Sequence, residues 1–229
     1  MAPENTLAGF RLAKSAGASW VEFDTQLSAD KRCIVFHDDK LDRTTDGSGS
    51  VDDMSYQAIR RLDAGTWFDP AFAGETVPSL KETLALLRDC GLHPDIEIKP
   101  AEGRETETAR AVIHEIIAQW PASAPPPLIT SIKPECLRIA HELAPEWPRG
   151  LVCFRVPRNW QALLNSLACD IFICKHSMLS RRRVEEITGA GYRLMAFTVN
   201  QPRRAVTLLS WGVSTIITDG PEDILAVTA

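Results

Sequence analysis

Ile171-Phe172-Ile173-Cys174, the amphipathic stretch Ser180–Gly189, and Leu194-Met195-Ala196-Phe197-Thr198 follow one another in close succession. A short apolar run, a segment of helical character and a second apolar run make the strand, crossover and strand of a parallel βα unit. Runs this apolar suit strands covered by helices on their outer face. The same beat extends outward. Apolar runs at Val21–Thr25, Ile96–Lys99, Leu128–Ser131, Gly150–Phe154 and Thr215–Asp219 read as further strands. Helical stretches at Leu80–Cys90, Glu105–Gln119, Pro134–Ala144, Trp160–Leu167 and Pro202–Trp211 lie between them. Gly91, Gly191 and Gly212 follow helical patterns, and Pro134 and Ser180 sit where helices start.

These strands number one fewer than the eight that close a (β/α)8 barrel. A first helix, opened by Asn5 or Thr6 and running to Gly17, has no strand before it. The expected fold is therefore an α/β (β/α)8 TIM barrel whose first strand is absent, the missing strand belonging upstream of Met1. One run breaks the beat. Cys33–His37 follows Val21–Thr25 too soon for a parallel crossover, so it returns antiparallel. With Ala29-Asp30-Lys31 as the turn, the expected pairing sets His37 opposite Asp24.

The 229 residues are ample for a large buried core, and 45% apolar with 24% charged residues is the balance of a folded globular chain. One domain over 1–229 is expected, with an insertion at about 38–74 that is long, polar and rich in Asp, Gly, Thr and Arg. Pro121–Pro127 reads as a stiff connector. A formal charge of −5 argues against nucleic acid as a partner. No apolar run approaches the roughly 20 residues of a membrane span, and the N-terminus has no secretory pattern. Six cysteines without a C-x-x-C pair read as free thiols of a reducing compartment, so a cytoplasmic location is expected.

Glu22 and Asp24 alternate with Val21 and Phe23, so both carboxylates share one face of their strand. Glu97 and Lys99 repeat the arrangement on the next barrel strand. Carboxylates gathered at a barrel mouth need a compensating cation, and oxygen ligands select a hard divalent ion, Mg²⁺ or Ca²⁺. Such a site binds a phosphoryl oxygen and acts as a Lewis acid, with Lys99 offsetting charge or holding an anionic oxygen. His37 is the natural proton-transfer group, or else a cap on the loop that follows it. His93, His114 and His141 fall in loop or helix segments and read as surface residues, whereas His176 follows a strand at the catalytic end. Trp67 and Phe68 read as packing residues or as a substrate wall.

Pro3-Glu4-Asn5-Thr6, Glu22-Phe23-Asp24, His37-Asp38, Leu41–Gly47, Leu62-Asp63-Ala64-Gly65, Val77-Pro78-Ser79-Leu80 and Ile96-Glu97-Ile98-Lys99 occur in one order, ending with Phe197-Thr198-Val199-Asn200 and Ile216–Pro221. That series closely resembles the glycerophosphodiester phosphodiesterase family in its bacterial cytosolic form, across essentially the whole chain. The resemblance implies hydrolysis of glycerophosphodiesters to an alcohol and sn-glycerol 3-phosphate, a reaction of lipid and glycerol metabolism. It implies one divalent cation, Mg²⁺ or Ca²⁺, held by Glu22, Asp24 and Glu97, with His37 as catalytic acid/base. Lys99, Glu4 and Phe197 are implied to contact the phosphate and substrate, Phe197 as an apolar wall where the family commonly has tryptophan. The implied route is attack of a glycerol hydroxyl on phosphorus, departure of the alcohol, and opening of a cyclic phosphate by water, with two histidines exchanging roles.

Family members carry His-Arg-Gly on a first strand shortly before Pro-Glu-Asn-Thr. The resemblance thus leads to the expectation that this chain lacks that strand, with its partner histidine and phosphate-binding arginine. A rival expectation follows, of an impaired barrel that still binds metal or glycerol phosphate.

Overall fold

A computed structural model describes residues 1–228. Helix α1 (Leu7–Ser15) leads into strand β1 (Trp20–Leu27), which returns as β2 (Cys33–Val35). A long segment containing α2 (Tyr56–Ile59) then reaches α3 (Leu80–Cys90). From there strands and helices alternate: β3 (His93–Ile98), α4 (Glu105–Gln119), β4 (Leu128–Ser131), α5 (Pro134–Leu143), β5 (Arg149–Cys153) and α6 (Trp160–Ser166). The series continues with β6 (Ile171–Lys175), α7 (Arg181–Gly189), β7 (Arg193–Phe197), α8 (Pro202–Trp211), β8 (Thr215–Ile216) and α9 (Pro221–Thr228).

The strands form one sheet in the order β2-β1-β3-β4-β5-β6-β7-β8, antiparallel only between β1 and β2. Parallel neighbours linked in chain order by helices are the repeating unit of a TIM-barrel-like fold, with the strands' C-terminal ends forming the mouth where such folds place chemistry. Helix starts follow local chemistry. Ser79 opens α3 with a capping box, its hydroxyl accepting the Glu82 N–H while the Glu82 carboxylate accepts the Ser79 N–H.

Three sequence expectations need correction. The hairpin is one residue out of the expected step: Thr25 pairs with Val35 and Leu27 with Cys33, and the Phe36 N–H donates to the Asp24 carbonyl. His37 therefore does not face Asp24. The turn is Ala29-Asp30-Lys31 as expected, with Ser28 bonded to Arg32 and Lys31 at a left-handed φ of 61°, and counting outward from a turn of that length brings Phe36, not His37, opposite Asp24. Second, β3 starts at His93, whose N–H donates to the Ser19 carbonyl and whose ring lies 5.1 Å from that of Trp20. His93 is thus a strand residue, whereas His114 and His141 are exposed on α4 and α5. Third, β8 is only two residues long; Ile217 still bonds to Ala196 and Val199, and the chain beyond is tied to Asn200, which accepts from the Asp219 N–H and the Thr218 hydroxyl.

Alternation along the strands sorts the side chains. Val21, Phe23, Ile96, Ile98 and Ile129 face outward into a core shared with α3, α4 and α5. Leu151, Phe172, Leu194 and Ala196 do the same beneath the later helices. Apart from Thr130, which faces Asp95, the inner face of β4 to β7 is largely apolar, built from Leu128, Val152, Ile171, Ile173 and Met195. The segment after β2 packs Leu41, Val51, Ile59 and Val77 onto Ile34 and Phe36.

Candidate active site

The register of β1 with β3 sets Glu22 beside Asp95 and Asp24 beside Glu97. Because side chains alternate, all four carboxyl groups turn to the inner face. Glu22, Asp24 and Glu97 each offer an oxygen, and these oxygens lie within 4.8 Å of one another. Lys99 Nζ stands 3.5 Å from Asp24 Oδ1. Burial, then the charges of Asp24, Asp95 and Glu97, holds Glu22 well above the usual carboxylate range. Burial and the Asp24 charge push Glu97 up to about 8. Desolvation also pushes Asp95 up to about 7, although Thr130 donates to its Oδ1. Three oxygens so close in a partly dry site repel one another and are relieved by a cation between them. An all-oxygen set of this kind fits a hard divalent ion.

Asn5 fastens the N-terminal loop to this cluster. Its Nδ2 donates to Asp24 Oδ2 at 3.0 Å and its Oδ1 accepts from the Asp24 N–H at 3.1 Å. The residue takes a left-handed φ of 55°, which asparagine tolerates better than most side chains. Thr6 holds the loop from behind, its hydroxyl donating to the Pro3 carbonyl and accepting from the Gly9 N–H. Glycine is required at that contact, since a Cβ on Gly9 would stand 2.8 Å from the Pro3 oxygen.

A second network runs outward from the same loop. Both oxygens of Glu4 accept from Arg43, at 2.6 and 2.8 Å. The same guanidinium donates through Nε and its second amino group to Asp38, at 2.6 and 2.8 Å. Asp38 Oδ1 in turn lies 2.5 Å from His37 Nδ1. Arg43, with help from His37, holds the Asp38 carboxyl far below the usual range, so Asp38 is a fixed anion. A carboxylate on Nδ1 leaves the other ring nitrogen of His37 to exchange protons at the mouth. The pattern of alternate acids reveals Glu22, Asp24 and Glu97, and extending it back by two residues reaches Asp95. Arg43 carries no local signal, because its partners come from distant parts of the chain.

The remaining candidates spread around the rim. Phe197 ends β7, its ring edge-to-face with Phe154 at 5.6 Å. His176 begins a short turn after β6, its Nδ1 buried and without a partner, and burial disfavours its charged form. Trp67 donates its ring N–H to the Ala64 carbonyl and packs on Phe68.

Comparison with known proteins points the same way. The solved structure of an Oleispira antarctica phosphodiesterase, OLEI02445, in complex with the product sn-glycerol-3-phosphate is 36% identical, covers 99% of this chain and 92% of that chain, and superposes with a TM-score of 0.96. The Bacillus subtilis (strain 168) protein YhdW is 34% identical over 98% of this chain and 92% of its own length. A glycerophosphodiester phosphodiesterase of Caldanaerobacter subterraneus subsp. tengcongensis is 32% identical over 97% of this chain and 91% of its own. The sequence pattern of the Glycerophosphoryl diester phosphodiesterase family matches residues 1–223, so the chain belongs to that family.

Proposed function

We propose that this protein is a phosphoric diester hydrolase that cleaves glycerophosphodiesters to an alcohol and sn-glycerol 3-phosphate, with one divalent cation, Mg²⁺ or Ca²⁺. The observation that carries the reading is the convergence of Glu22, Asp24 and Glu97 oxygens within 4.8 Å, in a family whose named members perform this hydrolysis. When bound, the cation supplies Lewis-acid stabilisation of the charge that develops on the phosphoryl oxygens. Lys99, beside Asp24, is placed to hold a phosphoryl oxygen and to offset the excess of carboxylate charge.

His37 moves the proton. Its free ring nitrogen accepts the proton of a glycerol hydroxyl as that oxygen attacks phosphorus, and the alcohol departs with a proton from the partner histidine of the family's His-Arg-Gly strand, which then takes the proton of the attacking water. Water then opens the cyclic phosphate, and His37 returns its proton to the glycerol oxygen. Asp38 holds the imidazole in the tautomer this requires, Arg43 holds Asp38, and Glu4 holds Arg43. In this reading Phe197 walls the substrate. The working unit is one domain over 1–229, with the segment 38–74 as an insertion beside the mouth.

Among the described residues no helix is long and apolar enough to cross a membrane. All six cysteines are free, and burial pushes Cys136 and Cys169 up to about 12, which suits unreactive thiols in the cytoplasm. The function is tested by coupled assay of sn-glycerol 3-phosphate released from glycerophosphocholine and glycerophosphoethanolamine, with Mg²⁺, Ca²⁺ or EDTA. The chain and a version extended by the family's His-Arg-Gly strand are compared. Cation-dependent release supports the reading. Absence of release from both proteins, each folded and binding cation, favours a barrel that only binds.

A further inference from the structure

The carboxylates occupy only the part of the barrel mouth built by β1 and β3. The opposite part is different in kind. Cys153 pairs with Cys174, and Lys175 with Phe197, so Phe154, Lys175 and Phe197 stand at one level where β5, β6 and β7 end. Each lies two residues beyond an inward-facing apolar side chain, Val152, Ile173 or Met195, and so shares its face of the sheet. The three side chains therefore crown the apolar half of the barrel interior.

Two properties of this rung are unusual for a surface. Phe154 is 57% exposed, yet its ring is locked edge-to-face against Phe197. Lys175 is exposed and, among the described residues, has no carboxylate within ion-pair distance. The rim around it reinforces the charge. Residues 154–159, which follow β5, and 176–183, which follow β6, include Arg155 and Arg158 and contain no acid, in a chain whose net charge is −5. An ordered aromatic pair flanking an unneutralised ammonium is a surface built for a ligand with a carbon face and a negative charge.

We propose that Phe154, Lys175 and Phe197 form the subsite for the departing alcohol, and that the preferred alcohol carries an anionic group of its own, such as a second phosphodiester. The inference rests on the hydrolytic reading above and adds a substrate class to it. Phosphorus sits over Glu22, Asp24, Glu97 and Lys99, so a substituent directed away from them crosses the mouth onto this rung. The phenyl rings contact its carbon skeleton, and Lys175 pairs with its charge. A quaternary ammonium alcohol meets like charge at the same place and is disfavoured.

The test compares kcat/KM for bis(glycerophospho)glycerol, whose departing alcohol bears a phosphodiester, with that for glycerophosphocholine. The expected wild-type preference is for the anionic diester. Lys175→Gln lowers the ratio by about fivefold, as loss of a partly exposed charge pair does, and Lys175→Glu inverts it. Phe154→Ala raises KM for both diesters more than it lowers kcat. A ratio that stays put in both Lys175 variants overturns the proposal and assigns the rung to the glycerol end. If neither the wild type nor the version extended by the His-Arg-Gly strand hydrolyses either diester, the hydrolytic reading itself fails. Calorimetric binding of the two diesters to Mg²⁺-loaded protein then decides the subsite: tighter binding of the anionic one that is lost in Lys175→Gln supports it, and equal binding overturns it.

Discussion

Asn5 grips Asp24 at two points, donating to its carboxylate and accepting from its backbone N–H. One side chain therefore fixes both the aim of a cation-binding oxygen and the position of the loop that carries Glu4. Asn5→Ala removes both bonds while leaving the carboxylate cluster intact. Outer groups that orient ligands are typically worth about 10- to 100-fold in metal affinity. A loss of about tenfold in Mg²⁺ affinity is expected by titration calorimetry, with a small drop in melting temperature. Unchanged affinity would show that Asp24 needs no help to reach its orientation.

His37 is exposed, so His37→Ala leaves the melting temperature nearly unchanged, as surface substitutions do. Turnover is expected to fall by at least about 100-fold, the low end for loss of a general acid or base. Retention of most of the wild-type rate removes His37 from the mechanism. Arg43→Ala acts through Asp38, and its expected signature is a displaced pH profile for kcat together with a smaller loss of rate.

Glu97→Gln removes one ligand oxygen's charge from a cluster in which burial already disfavours ionisation. Cation affinity is expected to fall by about tenfold or more, while the cation-free protein becomes more stable. Differential scanning calorimetry with EDTA and with Mg²⁺ reads both effects. An equal cation-induced rise in melting temperature for wild type and variant excludes Glu97 as a ligand.

Asp95 gives the fold a pH dependence of stated sign. Its carboxyl is raised to about 7 in the folded protein, whereas the unfolded chain releases that proton near pH 4. Between those values the native state binds the extra proton, so stability is full below pH 4 and is lost as pH rises towards 7. Asp95→Asn keeps the bond from Thr130 and abolishes this slope. At pH 8 its melting temperature is expected to exceed the wild type's by about 10 °C, since a carboxyl moved from near 4 to about 7 is worth roughly 4 kcal/mol there. A variant that melts with the wild-type slope contradicts the assignment.

The strand periodicity made half of this site legible in the sequence. Glu22, Asp24, Glu97 and Lys99 follow from alternation alone, because a strand's two faces depend on nothing beyond the strand itself. The hairpin was less legible. Its turn, Ala29-Asp30-Lys31, forms where expected, but partners count outward symmetrically from Asp30, and an offset of one in that count turns every pair to a different neighbour. Phe36 therefore stands opposite Asp24, and His37, one residue further on, meets its neighbour Asp38. The Glu4, Arg43 and Asp38 network was hidden for another reason: its members come together only once α1 and the segment after β2 converge at the mouth.

The central claim is cation-dependent hydrolysis at the Glu22, Asp24 and Glu97 cluster, and phosphorus NMR of glycerophosphocholine incubated with the protein measures it most directly. With Mg²⁺ or Ca²⁺ the diester resonance is expected to give way to that of sn-glycerol 3-phosphate, and EDTA or Glu97→Gln is expected to suppress the change. Conversion that proceeds equally in EDTA, or at the wild-type rate in Glu97→Gln, would contradict the claim.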